Sequence, residues 1–103
     1  MTKNKRFGLS EGAYNKIAKL LNQFPEFEKV QIFGSRALGT FREGSDIDLV
    51  VFGGHISREA LRRFKIFYDD LNLPYQMDLI HYESIDNPAL KKHIDENGVL
   101  FEQ

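Results

Sequence analysis

At 103 residues, with 42% hydrophobic positions and nine Phe, the chain can bury a single core and little more, so one domain over residues 1–103 is expected. The formal net charge of −1 supplies no field to draw in a polyanion, which argues against nucleic acid as a partner and against a polymerase gripping a long template. The absence of cysteine excludes a disulfide frame and a thiolate metal site, and the basic start Met1-Thr2-Lys3-Asn4-Lys5-Arg6 runs into no apolar segment, so no secretory signal, no membrane span and a cytoplasmic location are expected.

Taken in chain order, Ser10 is placed to cap a first helix whose Ala13, Ile17, Leu20, Leu21 and Phe24 share one face, with Pro25 near its end. Residues 28–33 alternate polar and apolar, the pattern of a strand. Gly34-Ser35 turns the chain and can open a short helix. Residues 46–52 form an apolar run led by Asp46 and Asp48, as expected of a buried strand. Gly53-Gly54 breaks it, and Ser57 can cap a second helix with Ala60, Leu61, Phe64, Phe67, Tyr68 and Leu71 as its apolar stripe. At helical spacing those aromatics read as core, not as a base-stacking platform. Leu73-Pro74 precedes a strand over 75–80 that carries Asp78. Asn87-Pro88 reads as the cap and first position of a third helix, Asn97-Gly98 as its stop, and Val99-Leu100-Phe101 as a short last strand. This order implies a mixed β-sheet with helices packed on one side, an α/β (α+β) fold.

The chemistry concentrates between residues 34 and 48. Gly34-Ser35-Arg36-Ala37-Leu38-Gly39 is followed, after five linking residues, by Ser45-Asp46-Ile47-Asp48. Gly34 lets the backbone approach a ligand, Ser35 adds a hydroxyl, and a helix start presents free N–H groups to phosphate. Taken alone, Gly-Ser is more often an ordinary capped turn. Strand periodicity puts Asp46 and Asp48 on one face, roughly 6.6 Å apart at Cα, where their repulsion would be relieved by a cation. Taken alone, Asp-x-Asp is more often a solvated strand end. The composite of six fixed residues has a chance expectation on the order of 10⁻⁵ in a chain of this length, which reverses both readings. Asp78, between Met77 and Leu79, is a third carboxylate in a buried strand. If that strand neighbours the first, the three carboxylates surround one point suited to two divalent ions and in-line displacement at phosphorus. The competing reading pairs Asp78 with a structural Arg or Lys. His55, His81 and His93 have no partner at metal-ligand spacing and are read as non-catalytic.

These two strings resemble the signature of the DNA polymerase β-like nucleotidyltransferase superfamily, and the short chain most resembles its minimal nucleotidyltransferases. The resemblance implies that Gly34, Ser35, Arg36 and Ser45 bind the nucleoside triphosphate, with ATP expected. It implies that Asp46, Asp48 and Asp78 are the catalytic and Mg2+-binding carboxylates, with Asp78 activating the acceptor hydroxyl or completing a metal site. Leu38 departs from the pattern, since relatives often carry a second arginine there; Arg42 could stand in for it. Larger members add a domain that walls the acceptor site, so an open cleft is expected, closed by a partner. The resemblance names that partner as a small helical HEPN-type protein, the chain acting as antitoxin by transferring AMP to a hydroxyl, such as a tyrosine's. Two alternatives stay open: transfer to a small-molecule acceptor with a partner subunit, and non-catalytic neutralisation by contact.

Overall fold

The computed structural model of the chain describes residues 6–102, so the basic segment Met1 to Lys5 lies outside the described residues. Helix α1 (Glu11–Leu21) begins where the Ser10 hydroxyl accepts the Ala13 N–H at 3.1 Å, and its Ala13, Ile17, Leu20 and Leu21 are buried together with Tyr14 and Ala18. Strand β1 (Lys29–Phe33) leads into the one-turn helix α2 (Ser35–Leu38), and a loop returns the chain to β2 (Ile47–Phe52). Helix α3 (Arg58–Asp70), capped by the Ser57 hydroxyl on the Ala60 N–H, precedes β3 (Met77–His81). Helix α4 (Pro88–Asn97) opens on Asn87, whose side chain accepts from the Ala89 and Leu90 N–H groups, and the two-residue β4 (Val99–Leu100) follows.

The strands lie in the order β3-β2-β1-β4. β1 pairs antiparallel with β2 and with β4, whereas β2 and β3 run parallel. Parallel neighbours need a crossover, and α3 supplies it. The element order is the expected one, but the expectation of helices on one side only is corrected. α1 and α3 cover one face, burying Val30, Ile32, Leu49, Val51 and Leu79 among others. α4 lies on the opposite face, where Ile94 packs with Phe33 and Val50. The cause is in β2 itself: Val50 is as completely buried as Leu49 and Val51, so both sides of that strand need cover. Phe67, expected in the buried stripe of α3, is 38% exposed. It sits at the rim of the core, its ring 6.3 Å from Phe24 and 5.7 Å from the Arg63 guanidinium carbon.

Beyond β4, Phe101 is fully buried and stacks on Tyr14 at 4.3 Å between ring centroids, while its N–H donates to the Val30 carbonyl. The Tyr14 hydroxyl donates to the Glu102 carbonyl at 3.1 Å and accepts the Glu102 N–H at 3.0 Å. Among the described residues, no helix is long and apolar enough to cross a membrane.

Candidate functional site

The site is built on the face that α4 only partly covers. Phe33, the last residue of β1, stands opposite Asp48 in the antiparallel ladder, and Gly34 follows with φ 76° and ψ −157°. That backbone region is essentially reserved for glycine. A Cβ at Gly34 would collide with the Asp48 carboxylate. The glycine therefore both turns the chain and lets a carboxylate lie against the backbone. The Ala37 and Leu38 N–H groups are taken by the Gly34 carbonyl, so the Ser35 and Arg36 amides precede the first bonds of α2. With one turn, α2 has little dipole to offer; the donors that the turn presents are individual N–H groups and the Ser35 hydroxyl.

The parallel ladder of β2 and β3 sets Asp48 directly beside Asp78, and strand neighbours are separated by about 4.8 Å. Asp46 lies just before β2, two residues ahead of Asp48 and so on the same side of the chain. Burial raises the Asp48 carboxyl above its ordinary pKa of 3.8, and the charges of Asp78 and then Asp46 push it further the same way, while nearby His93 draws it down. The sequence pointed to repulsion among carboxylates; in the structure, loss of water at half-buried Asp48 is the larger cause. The expectation that all three surround one point is also modified. Among the described residues, no three acidic, His or Cys side chains already converge as a complete cation cage. Asp46 belongs to the loop end and Asp78 to an edge strand, and both are exposed.

Two of the expected nucleotide ligands are engaged within the fold. Arg36 is 3% exposed. Its Nε and Nη2 donate to the Ser45 carbonyl at 3.2 and 2.8 Å, and its Nη1 donates to the Phe7 carbonyl at 2.9 Å. The guanidinium carbon also lies 5.1 Å from the Phe41 ring centre and 5.0 Å from that of Tyr75. Arg36 thus clamps the loop that delivers Asp46, a structural role beside the phosphate contact that the resemblance implies. Tyr75 is itself held by the Tyr68 hydroxyl, which donates to its carbonyl at 2.8 Å; burial and the neighbouring Tyr75 push the Tyr68 phenol up to about 12. Ser45 is likewise a turn residue: its hydroxyl accepts the Arg42 N–H at 2.8 Å and its own N–H donates back to the Arg42 carbonyl. Arg42 is the exposed arginine of the motif, on the rim of a recess of about 380 Å³ floored by Arg36 and Tyr75. Arg36→Ala should destabilise the protein by about 2–4 kcal/mol in urea unfolding, because charged hydrogen bonds contribute more than neutral ones and two carbonyls lose their donor. Unchanged stability with lost nucleotide affinity would give Arg36 the phosphate role in place of the structural one.

The histidines divide. His55 is exposed in the Gly53-Gly54 turn. The His81 ring faces the Gly53 carbonyl at 2.8 Å, Glu83 at 3.1 Å and the Ser84 hydroxyl at 2.9 Å, bracing the end of β3. His93 was missed: it reaches the Gly34-Ser35 turn, where its Nε2 accepts the Gly34 N–H at 3.3 Å. The signal was available in α4, because Leu90, His93, Ile94 and Asn97 follow helical spacing and so share a face.

Comparison with known proteins agrees with this arrangement. The family described as "Polymerase beta, Nucleotidyltransferase" matches residues 15–103. The chain is 36% identical over 83 residues to "Putative protein adenylyltransferase MJ1217" of Methanocaldococcus jannaschii, covering 80% of this chain and 84% of that protein. It is similar to a chain in the crystal structure of a toxin–antitoxin with AMP-PNP, at TM-score 0.69 and 26% identity, over 85% of this chain and 71% of the other. The fold also matches a chain in the complex of a tri-AMPylated Shewanella oneidensis HEPN toxin with its MNT antitoxin, at TM-score 0.64 and 22% identity, over 88% and 70% of the two chains. With its Gly-Ser turn set against Asp48, and Asp78 beside Asp48 on the next strand, the chain belongs to the polymerase β nucleotidyltransferase family.

Proposed function

We propose that this protein transfers AMP from ATP to a hydroxyl of a small helical partner of the HEPN toxin type, and so acts as its antitoxin. The observation that carries the reading is the placement of Asp48 beside Asp78, against the Gly34 turn, in a chain 36% identical to a protein named as a protein adenylyltransferase. The likeness to a toxin–antitoxin chain solved with AMP-PNP supports both the nucleotide and the class of partner.

In this reading Ser35 binds the outer phosphates through its hydroxyl and amide. The acceptor oxygen forms a bond to the α-phosphorus as the bond from that phosphorus to the bridging oxygen of the β-phosphate breaks, and pyrophosphate leaves. The hydroxyl proton passes to the Asp78 carboxylate, which the edge position of β3 leaves exposed to a macromolecular acceptor. The donor set fits magnesium. Carboxylate oxygens are hard ligands, the raised Asp48 carboxyl marks a position where a cation would be favourable, and magnesium is commonly held by one or two carboxylates with substrate phosphates completing the shell. Asp46 and Asp48 would hold the ion, with Asp78 beside them. Bound there, it would offset phosphate charge and polarise the phosphorus.

The test is co-expression with the product of the adjacent gene, followed by intact-mass measurement with ATP and magnesium. A mass increase of one or more AMP units on the partner, absent with Asp46→Asn, is expected. Asp78→Asn should lower turnover far more than ATP affinity. Unaided modification of a small hydroxylated compound, with no complex formed, would replace this reading with transfer to a small molecule.

A further inference from the structure

His93 stands outside the signature motif, yet it meets that motif at its first residue. The Gly34 N–H lies just past the last ladder pair, Phe33 with Asp48, and it donates to His93 Nε2 at 3.3 Å. The imidazole also meets the Phe33 ring edge-on, at 6.1 Å between centroids. An amide N–H can only donate, so Nε2 carries no proton and the single proton of the neutral ring is on Nδ1. The Asn97 side-chain nitrogen stands 3.3 Å from Nδ1, so a proton on Nδ1 requires the carboxamide to be turned end for end, its oxygen then accepting the Nδ1–H. With the carboxamide so turned, the donor and acceptor requirements agree along Asn97, His93 and Gly34. Both side chains come from α4, one turn apart, and α4 is anchored by buried Ile94 between them.

We propose that His93, oriented by Asn97, is a positioning residue for nucleotide binding: it fixes the Gly34 amide from the α4 side, so that the following Ser35 hydroxyl and amide are held toward the phosphates. Gly34 occupies a backbone conformation that costs energy and has no side chain to secure it. The Gly34 N–H is the one backbone donor of the turn that precedes the phosphate-facing residues, and its acceptor comes from a distant helix. Without that acceptor, the turn is free to relax away from the geometry the triphosphate needs. The role rests on the transferase reading of the Ser35 turn, whereas the hold on Gly34 exists whether or not the protein is a transferase.

The experiment has two readouts. In the nucleotide-free protein, Gly34 amide hydrogen exchange should quicken by about tenfold or more in His93→Ala. It should stay near the wild-type rate in His93→Gln, whose Oε1 can accept the same N–H. Calorimetry with magnesium ATP should show affinity about tenfold weaker in His93→Ala, with kcat within about twofold, and most of the loss recovered in His93→Gln. Asn97→Ala should move both readouts in the same direction by less. Equal weakening in the Ala and Gln variants, with Gly34 exchange unchanged, would show that His93 only fills space and would overturn the proposal. So would unaltered exchange and affinity in His93→Ala. A wild-type protein that binds no triphosphate would overturn the transferase reading instead, and the exchange comparison would still decide whether His93 holds the turn.

Discussion

Asp48→Asn should yield a well-folded protein that has lost nucleotidyl transfer by about 10³-fold or more, because a neutral amide forfeits several kcal/mol of charge stabilisation at phosphorus. The fold should survive for a reason visible in the site. The folded-state pKa of Asp48 is raised, first by burial and then by Asp78 and Asp46, so its ionised form opposes folding. As pH climbs from 3.8 through the raised value, the folded protein keeps a proton that the unfolded chain has released, and stability from this group falls. Below 3.8 the carboxyl is protonated in both states and the penalty vanishes. At neutral pH the Asp48→Asn midpoint of thermal unfolding should therefore equal or exceed that of the wild type, and the variant's advantage should shrink as the pH falls toward 3.8. Normal transfer by a folded Asp48→Asn protein would remove the carboxylate from the reaction.

Gly34→Ala should be the most damaging conservative change in the motif. It forces a side chain into a backbone region that costs about 1–3 kcal/mol, and it drives a methyl group into the Asp48 carboxylate. The turn can escape only by moving, and a displacement of about 1 Å can cost roughly 10²-fold in a positioned site. Urea unfolding and calorimetry with magnesium ATP measure the two losses. A double-mutant cycle separates the causes: in an Asp48→Ala background the steric part should disappear while the backbone part remains. Full additivity would show that the carboxylate does not lie against Gly34.

The sequence carried the elements and the motif because these are local. The Ser10, Ser57 and Asn87 caps, the alternation of β1 and the apolar run of β2 each act within a few residues, and each matches its element. Other features depend on partners remote in the chain. The sidedness of the helices was partly encoded, since the uninterrupted Leu49-Val50-Val51 run requires cover on both faces, but nothing local says that α4 provides the second. Arg36 sits in the Gly34–Gly39 motif, and only the fold reveals that the carbonyls of Phe7 and Ser45 and the rings of Phe41 and Tyr75 surround it. His93 shares a helical face with Ile94, which marked it as inward, but its meeting with Gly34 spans 59 positions. Asp78 could be placed beside Asp48 only by assuming that β2 and β3 are neighbours; their parallel pairing is what the structure adds.

The bonds between Tyr14 and Glu102 join positions 88 apart, and Phe101 completes the packing around α1 from the far side of the sequence. Chains emerge from synthesis N-terminus first. The motif strands are thus made well before the aromatic residue that seals the first helix, and α4, bearing His93, precedes that residue only slightly. Contacts of such long sequence separation form slowly, since a large loop must close before they repay its entropy. The nascent chain therefore carries its carboxylates well before the packing of Phe101 and Glu102 against α1 can form.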